Sequence, residues 1–301
     1  MDVGLYLRRI QFPGKPEATL EDLQKLSRQH LFTVPFENLT IHSGGRIHLN
    51  LGWVYHKIVI QHRGGFCYEN NSLFGWLLSQ LGFNITHLAA QVKNNITKYF
   101  GPPFGHLITM VNLGGHRWLC DVGFGAYFQS PLSLETESNQ TQPNGVYRVK
   151  QEGEVLIIER MQDEECKDAG GHSIAANKED ISTVHSWSEW EQLYKFTLTP
   201  RSVEEFSEMC VYHQTSPSSL FYCKSLCCLH LPNGVLSYVG RRFTHVVYPS
   251  PGCKVEKEKL NGLSDEEIRK LLKERFNIVL HCPLIPKDEQ ISISVVLRSG
   301  L

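Results

Sequence analysis

Residues 63–71, Arg63-Gly64-Gly65-Phe66-Cys67-Tyr68-Glu69-Asn70-Asn71, set a glycine pair directly before a helical pattern, with one cysteine at the join. From Cys67 onward Leu73, Phe74, Trp76, Leu77, Leu78 and Leu81 recur at helical spacing, and Gly82 ends the run. Cys67 therefore opens the expected helix. A helix N-terminus carries unpaired N–H groups and partial positive charge, and both favour an anionic sulfur. Two later segments offer what such a thiol needs. His106 heads the apolar run His106–Leu113, and Asp121 ends a strand-like run, Arg117–Val122, with Gly114-Gly115 between them as a hairpin turn. Cys67, His106 and Asp121, each at the edge of an ordered element, read as a nucleophile, its base and the group that orients the base.

A free cysteine most often packs as a small apolar group, and a lone histidine or aspartate has many structural uses. The weight lies on the joint pattern. If the three meet, His106 takes the thiol proton. Pairing of that kind can lower a cysteine from about 8.5 to roughly 3.5–7.5. Asp121 then fixes the histidine tautomer, and N–H groups near Cys67 can hold an oxyanion. The triad alone does not separate a transferase from a hydrolase, because a thioester can pass to an amine or to water.

The periodicities give an α+β chain. Residues up to about 85 read as mainly helical, with Thr19 capping a helix that carries Leu20, Leu23 and Leu26. Short β-like runs follow at 86–92, 106–113, 117–122, 145–151 and 155–160. Residues 161–185 are polar and read as a surface insertion. Further on, 203–212 reads as a short helix, and 220–231 and 235–248 as two strands around Pro232-Asn233-Gly234. Ser264–Phe276 reads as a capped helix. Lys254, Lys257 and Lys259 alternate with Glu256 and Glu258 and read as a solvated face.

Composition narrows the function classes. Lys plus Arg is 30 against 31 for Asp plus Glu, a net charge of -1, so no nucleic acid or anionic membrane partner is expected. No run of about 18 apolar residues is present, and the N-terminus lacks a secretory h-region. Nine scattered cysteines in the 301 residues suit a reducing, cytoplasmic location. Cys223, Cys227, Cys228 and His230 superficially resemble metal spacing, but no second ligand pair accompanies them, so no metal is expected. Glu37 and Arg63 are expected to pair and to hold the loop before Cys67.

The motifs as a set resemble the arylamine N-acetyltransferases. The resemblance rests on Val34-Pro35-Phe36-Glu37-Asn38-Leu39, on the 63–71 segment, on His106 before its strand, on Asp121-Val122-Gly123-Phe124-Gly125 and on Tyr212-His213-Gln214-Thr215-Ser216-Pro217-Ser218-Ser219, in that order. It implies a papain-like cysteine-enzyme core in three parts: a helical bundle (1–85) with the cysteine, a β-barrel (86–190) with His and Asp and the insertion near 161–185, and an α/β lid with the C-terminal tail (191–301). It implies acetyl-CoA as co-substrate with no permanently bound cofactor. Transfer would be ping-pong, through an acetyl-Cys67 thioester, to a small arylamine, arylhydrazine or N-hydroxyarylamine. Gly105 and His106 would border the acceptor, Phe124 would form an aromatic wall, and Val92, Ala126 and Phe128 would shape the pocket. Pro102, Pro103, Tyr212, Ser218 and Ser292 would face CoA.

Overall fold

A computed structural model describes residues 1–94, 97–162, 190–248 and 256–292. The N-terminal part is a cluster of helices: α1 Val3–Arg9, α2 Leu20–Thr33, α3 Leu39–His42, α4 Leu51–Tyr55 and α5 Cys67–Gln80, with a two-residue strand, β1 Phe36–Glu37, before α3. Thr19 caps α2 as expected, its hydroxyl accepting the Asp22 N–H at 3.2 Å. Tyr6, Leu23, Leu26, Leu73, Phe74 and Leu77 are fully buried together and lock α1 and α2 onto α5. At its start α5 is covered on every side, every residue from Cys67 to Gly75 being buried. That is why its period is not amphipathic. The single-turn α3 and the two-residue β1 are too short to leave a periodic signal.

The central part is an eight-stranded antiparallel sheet. Its strands are β2 Asn84–Val92, β3 His106–Leu113, β4 His116–Cys120, β5 Leu132–Ser133, β6 Gln140–Gln142, β7 Gly145–Glu152, β8 Val155–Met161 and β9 Trp190–Phe196, in the order β5-β4-β3-β2-β9-β8-β7-β6. The five β-like runs of the sequence all form strands. The sheet curls, and its edges β5 and β6 are tied through one side chain. Gln140 accepts from the Ser133 N–H at 2.8 Å and donates to the Ser133 carbonyl at 3.0 Å. This almost closes a barrel, which leaves little open edge. Because β9 belongs to this sheet, the sheet continues past residue 190 to Phe196. The 161–185 insertion, apart from Met161 and Gln162, lies outside the described residues.

The third part joins β1 to β10 Leu226–Leu231, β11 Gly234–Val239, β12 Arg242–Val247 and β13 Glu256–Asn261, in the order β1-β10-β11-β12-β13. Helices α6 Ser207–Thr215 and α7 Leu220–Cys223 precede it, and α8 Asp265–Arg275 packs Ile268 and Leu272 onto it. Ser264 and Glu267 form the capping box at the start of α8. Two expectations are corrected. Residues 220–223 are a helical turn, which Ser219 caps by accepting the Phe221 N–H at 3.2 Å. Residues 235–248 are two strands, because the chain reverses at Gly240, whose φ is +62°. The charged run at 256–261 is an edge strand, with most of its side chains in solvent.

Candidate active site

Cys67 is the first residue of α5. The preceding Phe66 N–H donates to the Glu69 carboxylate at 3.0 Å, which pins the chain at the entry. A buried charge network backs this loop. Arg63 meets Glu37 through two hydrogen bonds of 3.1 Å, the pairing expected from the sequence, and the Gly64 N–H also reaches Glu37. Lys57 lies 2.7 Å from Glu69 and 3.7 Å from Glu37. Burial pulls on the two carboxyls alike, but the cations hold Glu37 below the usual carboxylate range while Glu69 stays raised. Two cations against two anions make this an electrically balanced cluster in a dry site.

His106 and Asp121 come together through the β3–β4 hairpin. Leu113 pairs with His116 across the two-residue turn Gly114-Gly115, and both glycines have positive φ (59° and 82°). This is the type I′ geometry that suits the strand twist, and side chains resist it. The register sets Thr109 opposite Cys120, so the two strand ends carrying His106 and Asp121 are neighbours. His106 Nε2 lies 2.7 Å from Asp121 Oδ2. Both residues are almost fully buried.

Asp121 receives three further donors. Asn71 Nδ2 (2.8 Å) and the Gly123 N–H (3.0 Å) meet Oδ1, and the Tyr194 hydroxyl (3.1 Å) meets Oδ2. Burial alone would raise this carboxyl; His106, Asn71 and Gly123 outweigh it and keep it below its usual range. Asn71 also donates to the Leu107 carbonyl at 2.7 Å and accepts the Val122 N–H at 2.8 Å, so one side chain ties α5, β3 and the Asp121 loop together. At Gly123 the loop passes so close to α5 that a Cβ would lie 2.8 Å from the Cys67 Cα. Asn71 and Tyr194 escaped the sequence reading. Asn71 could have been found, since it lies four residues after Cys67 and so on the same helix face. Tyr194 left no local signal.

Cys67 and His106 share the wall of a cavity of about 740 Å³. Burial pushes the Cys67 thiol up, and the Asp121 charge adds to this. Backbone hydrogen bonds at Leu107 and Tyr68 pull the other way. The helix N-terminus favours an anionic sulfur, but desolvation is the larger influence on this thiol, so its ionisation relies on a proton acceptor, the part expected of His106. Asp121 engages Nε2 of His106, so Nδ1 is the ring nitrogen left for that proton.

Of the other residues singled out in the sequence, Val92, Pro102, Gly105, Phe124, Tyr212 and Ser218 line the same cavity. The Phe124 ring lies 4.9 Å from His106 and 4.8 Å from Tyr194. Four others do not line it. Ala126 packs with Leu226, Cys228 and Val246 in the core between the barrel and the second sheet. Phe128 turns into the barrel core, 5.6 Å from the Tyr147 ring. Pro103 is exposed beside Pro102. Ser292 donates its N–H to the Pro217 carbonyl, although its neighbours Gln290 and Ile291 reach the cavity. His213, which carried no expected role, also lines it. Burial lowers that ring to about 4, so it is neutral.

Cys227 and Cys228 point to opposite faces of β10, into separate cores. Among the described residues no group of three or more His, Cys, Asp or Glu side chains could hold a metal, and no helix is long and apolar enough to cross a membrane.

Comparison with known proteins agrees with this geometry. The family model described as N-acetyltransferase matches residues 19–285. An arylamine N-acetyltransferase of the Gallus gallus pineal gland is 36% identical over 293 residues, covering 95% of this chain and 97% of the relative. Arylamine N-acetyltransferase 1 of Homo sapiens is 34% identical with the same coverages. Among solved structures, the Mycobacterium smegmatis arylamine N-acetyltransferase superposes with a TM-score of 0.77 at 27% identity, covering 93% of each chain. The Mycobacterium marinum enzyme, solved in complex with CoA, gives 0.75 at 26%, covering 92% of this chain and 93% of that one. The chain belongs to the arylamine N-acetyltransferase family and is an acyltransferase of that kind.

Proposed function

We propose that this enzyme moves an acetyl group from acetyl-CoA to an arylamine, arylhydrazine or N-hydroxyarylamine by a ping-pong route through an acetyl-Cys67 thioester. The observation that carries the reading is the shared cavity wall: Cys67 at a helix N-terminus, and His106 held by Asp121 with Nδ1 uncommitted. As the Cys67 sulfur attacks the acetyl carbonyl, its proton passes to His106 Nδ1. Asp121, fixed by four donors, stabilises the imidazolium that forms. N–H groups at the start of α5 hold the oxyanion. The imidazolium then protonates the departing CoA sulfur. In the second half the amine nitrogen attacks the thioester, His106 takes its proton, and that proton returns to the Cys67 sulfur as the amide leaves.

Val92, Gly105 and Phe124 supply the apolar, aromatic wall for the acceptor ring, and Pro102, Tyr212 and Ser218 border the donor. Ala126, Phe128, Pro103 and Ser292 act at most through these neighbours. The cluster of helices, the barrel and the second sheet with its helices correspond to a bundle, a barrel and a lid around the cavity. A reducing cytoplasm would keep Cys67 free; all seven described cysteines are free thiols.

The test is steady-state turnover of acetyl-CoA with aniline-type acceptors. Parallel double-reciprocal lines, with CoA release dependent on the amine, are expected. CoA release that ignores the amine would mean that water is the acceptor and that the enzyme is a hydrolase.

A further inference from the structure

We propose that Arg242 binds a phosphate group of the acyl donor and so makes the enzyme selective for a nucleotide thioester over a simple one. The inference rests on the donor reading above and adds a residue to it. The cavity runs from Cys67 along Tyr212, Ser218 and Phe221 to the second sheet, where Lys224, Arg242 and Asp288 line it. Lys224 is ion-paired with Asp288 there. The adjacent Arg241 is also satisfied, by Asp265 at 2.8 Å and the Leu263 carbonyl at 2.8 Å. Arg242 has neither a carboxylate nor a carbonyl partner among the described residues. This end of the cavity therefore holds two cations and one anion, with a half-buried guanidinium left over.

A half-buried guanidinium on a cavity wall, with no carboxylate beside it, is open to an incoming anion. Its planar fork matches a phosphate, on which it can place two charge-assisted hydrogen bonds. Its position is also fixed. Arg242 begins β12 and is paired on both sides, with Val239 of β11 and Asn261 of β13. A phosphate fits better here than an acidic group on the amine. The acceptor wall proposed above is formed by Val92 on β2 and Phe124 in the loop after β4, whereas Arg242 belongs to the other sheet. In CoA the pantetheine arm separates the thioester from the phosphates, and a 740 Å³ cavity is far larger than an arylamine needs. The other lining lysine at the barrel side, Lys93, already bonds Gln192 at 3.1 Å and covers the Phe100 ring.

The experiment compares wild type with Arg242→Gln and Arg242→Lys on three donors: acetyl-CoA, acetyl-dephospho-CoA and S-acetylpantetheine. For Arg242→Gln, the KM for acetyl-CoA is expected to rise about 10-fold or more with little change in kcat. Arg242→Lys should recover part of the loss. The effect should be confined to phosphate-bearing donors, which also shows that the variant folds. If acetyl-dephospho-CoA still feels the substitution, the pyrophosphate is the contact; if it does not, the 3′-phosphate is. A KM rise shared equally by S-acetylpantetheine, or no rise with acetyl-CoA, overturns the proposal. Wild type that turns over S-acetylpantetheine but not acetyl-CoA would instead overturn the donor reading itself.

Discussion

Replacing Asn71 by alanine removes the side chain that ties the Cys67 helix to the Asp121 loop. Three hydrogen bonds are lost: to the Asp121 carboxylate at 2.8 Å, to the Leu107 carbonyl at 2.7 Å and from the Val122 N–H at 2.8 Å. All lie in a buried site, so water does not readily replace them. A bond to a charged group contributes about 1.5–3 kcal/mol and a neutral one about 0.5–1.5, and the Val122 N–H is left without its partner. The total, about 3–6 kcal/mol, is a large share of the 5–15 kcal/mol typical of whole domains. At about 1.6 °C per kcal/mol for a chain of 301 residues, Tm should fall by about 5–10 °C. The Asp121 carboxylate also loses one of its four donors and becomes freer to turn, so His106 is oriented less well. Iodoacetamide labelling of Cys67 near neutral pH, followed by mass spectrometry below the new Tm, should slow as well. A Tm within about 1 °C of wild type would refute the reasoning, because these three bonds would then contribute nothing.

Tyr194→Phe removes only the hydroxyl that donates to Asp121 and keeps the ring against Phe124. It should cost about 10-fold or more in kcat with little change in KM and a Tm fall of about 2–5 °C, and unchanged turnover would remove Tyr194 from the site. Glu37→Gln leaves Arg63 and Lys57 short of a buried anion and should destabilise by about 3–5 kcal/mol, read as a lower denaturant midpoint; an unchanged midpoint would show that the network does not hold the loop. Stability should also decline steeply on acidification. Burial lowers His30 to about 3 and His87, His213 and His230 to about 4. Each lies below the unfolded value, so the unfolded chain binds the extra protons as pH falls from about 6.5 towards 4. Each then removes up to about 1.4 kcal/mol per pH unit. Urea midpoints that stay flat from pH 7 to 4.5 would contradict this.

The positions of Cys67, His106 and Asp121 were legible because each sits at an element boundary with strong punctuation. Gly64-Gly65 marks the start of α5, and Gly114-Gly115 fixes the hairpin that aligns His106 with Asp121. Local periodicity does not report what reaches the site from far along the chain. Tyr194 meets Asp121 from 73 residues away, on a strand that only the sheet order places beside β2. The depth of the site was equally invisible. A helix N-terminus raises the expectation of a thiolate, but the burial that outweighs it comes from packing of the barrel and the second sheet around Cys67. The stretch from the motif 121–125 to Phe128 shows the limit of reading by segment. Gly123 and Phe124 border Cys67 and the cavity, while Ala126 and Phe128, a few residues on, turn into two different cores. In the second sheet β11 and β12 were read as one strand because Arg241-Arg242 gives a weak turn signal beside Gly240, and the charged β13 and two-residue β1 left no strand signal at all.

Intact-mass measurement after brief mixing with acetyl-CoA, without an amine and alongside a Cys67→Ala control, tests the central claim most directly. The account predicts one added acetyl group on the native chain only, discharged when an arylamine is supplied. No adduct on the native chain, or an adduct that persists in the control, would contradict it.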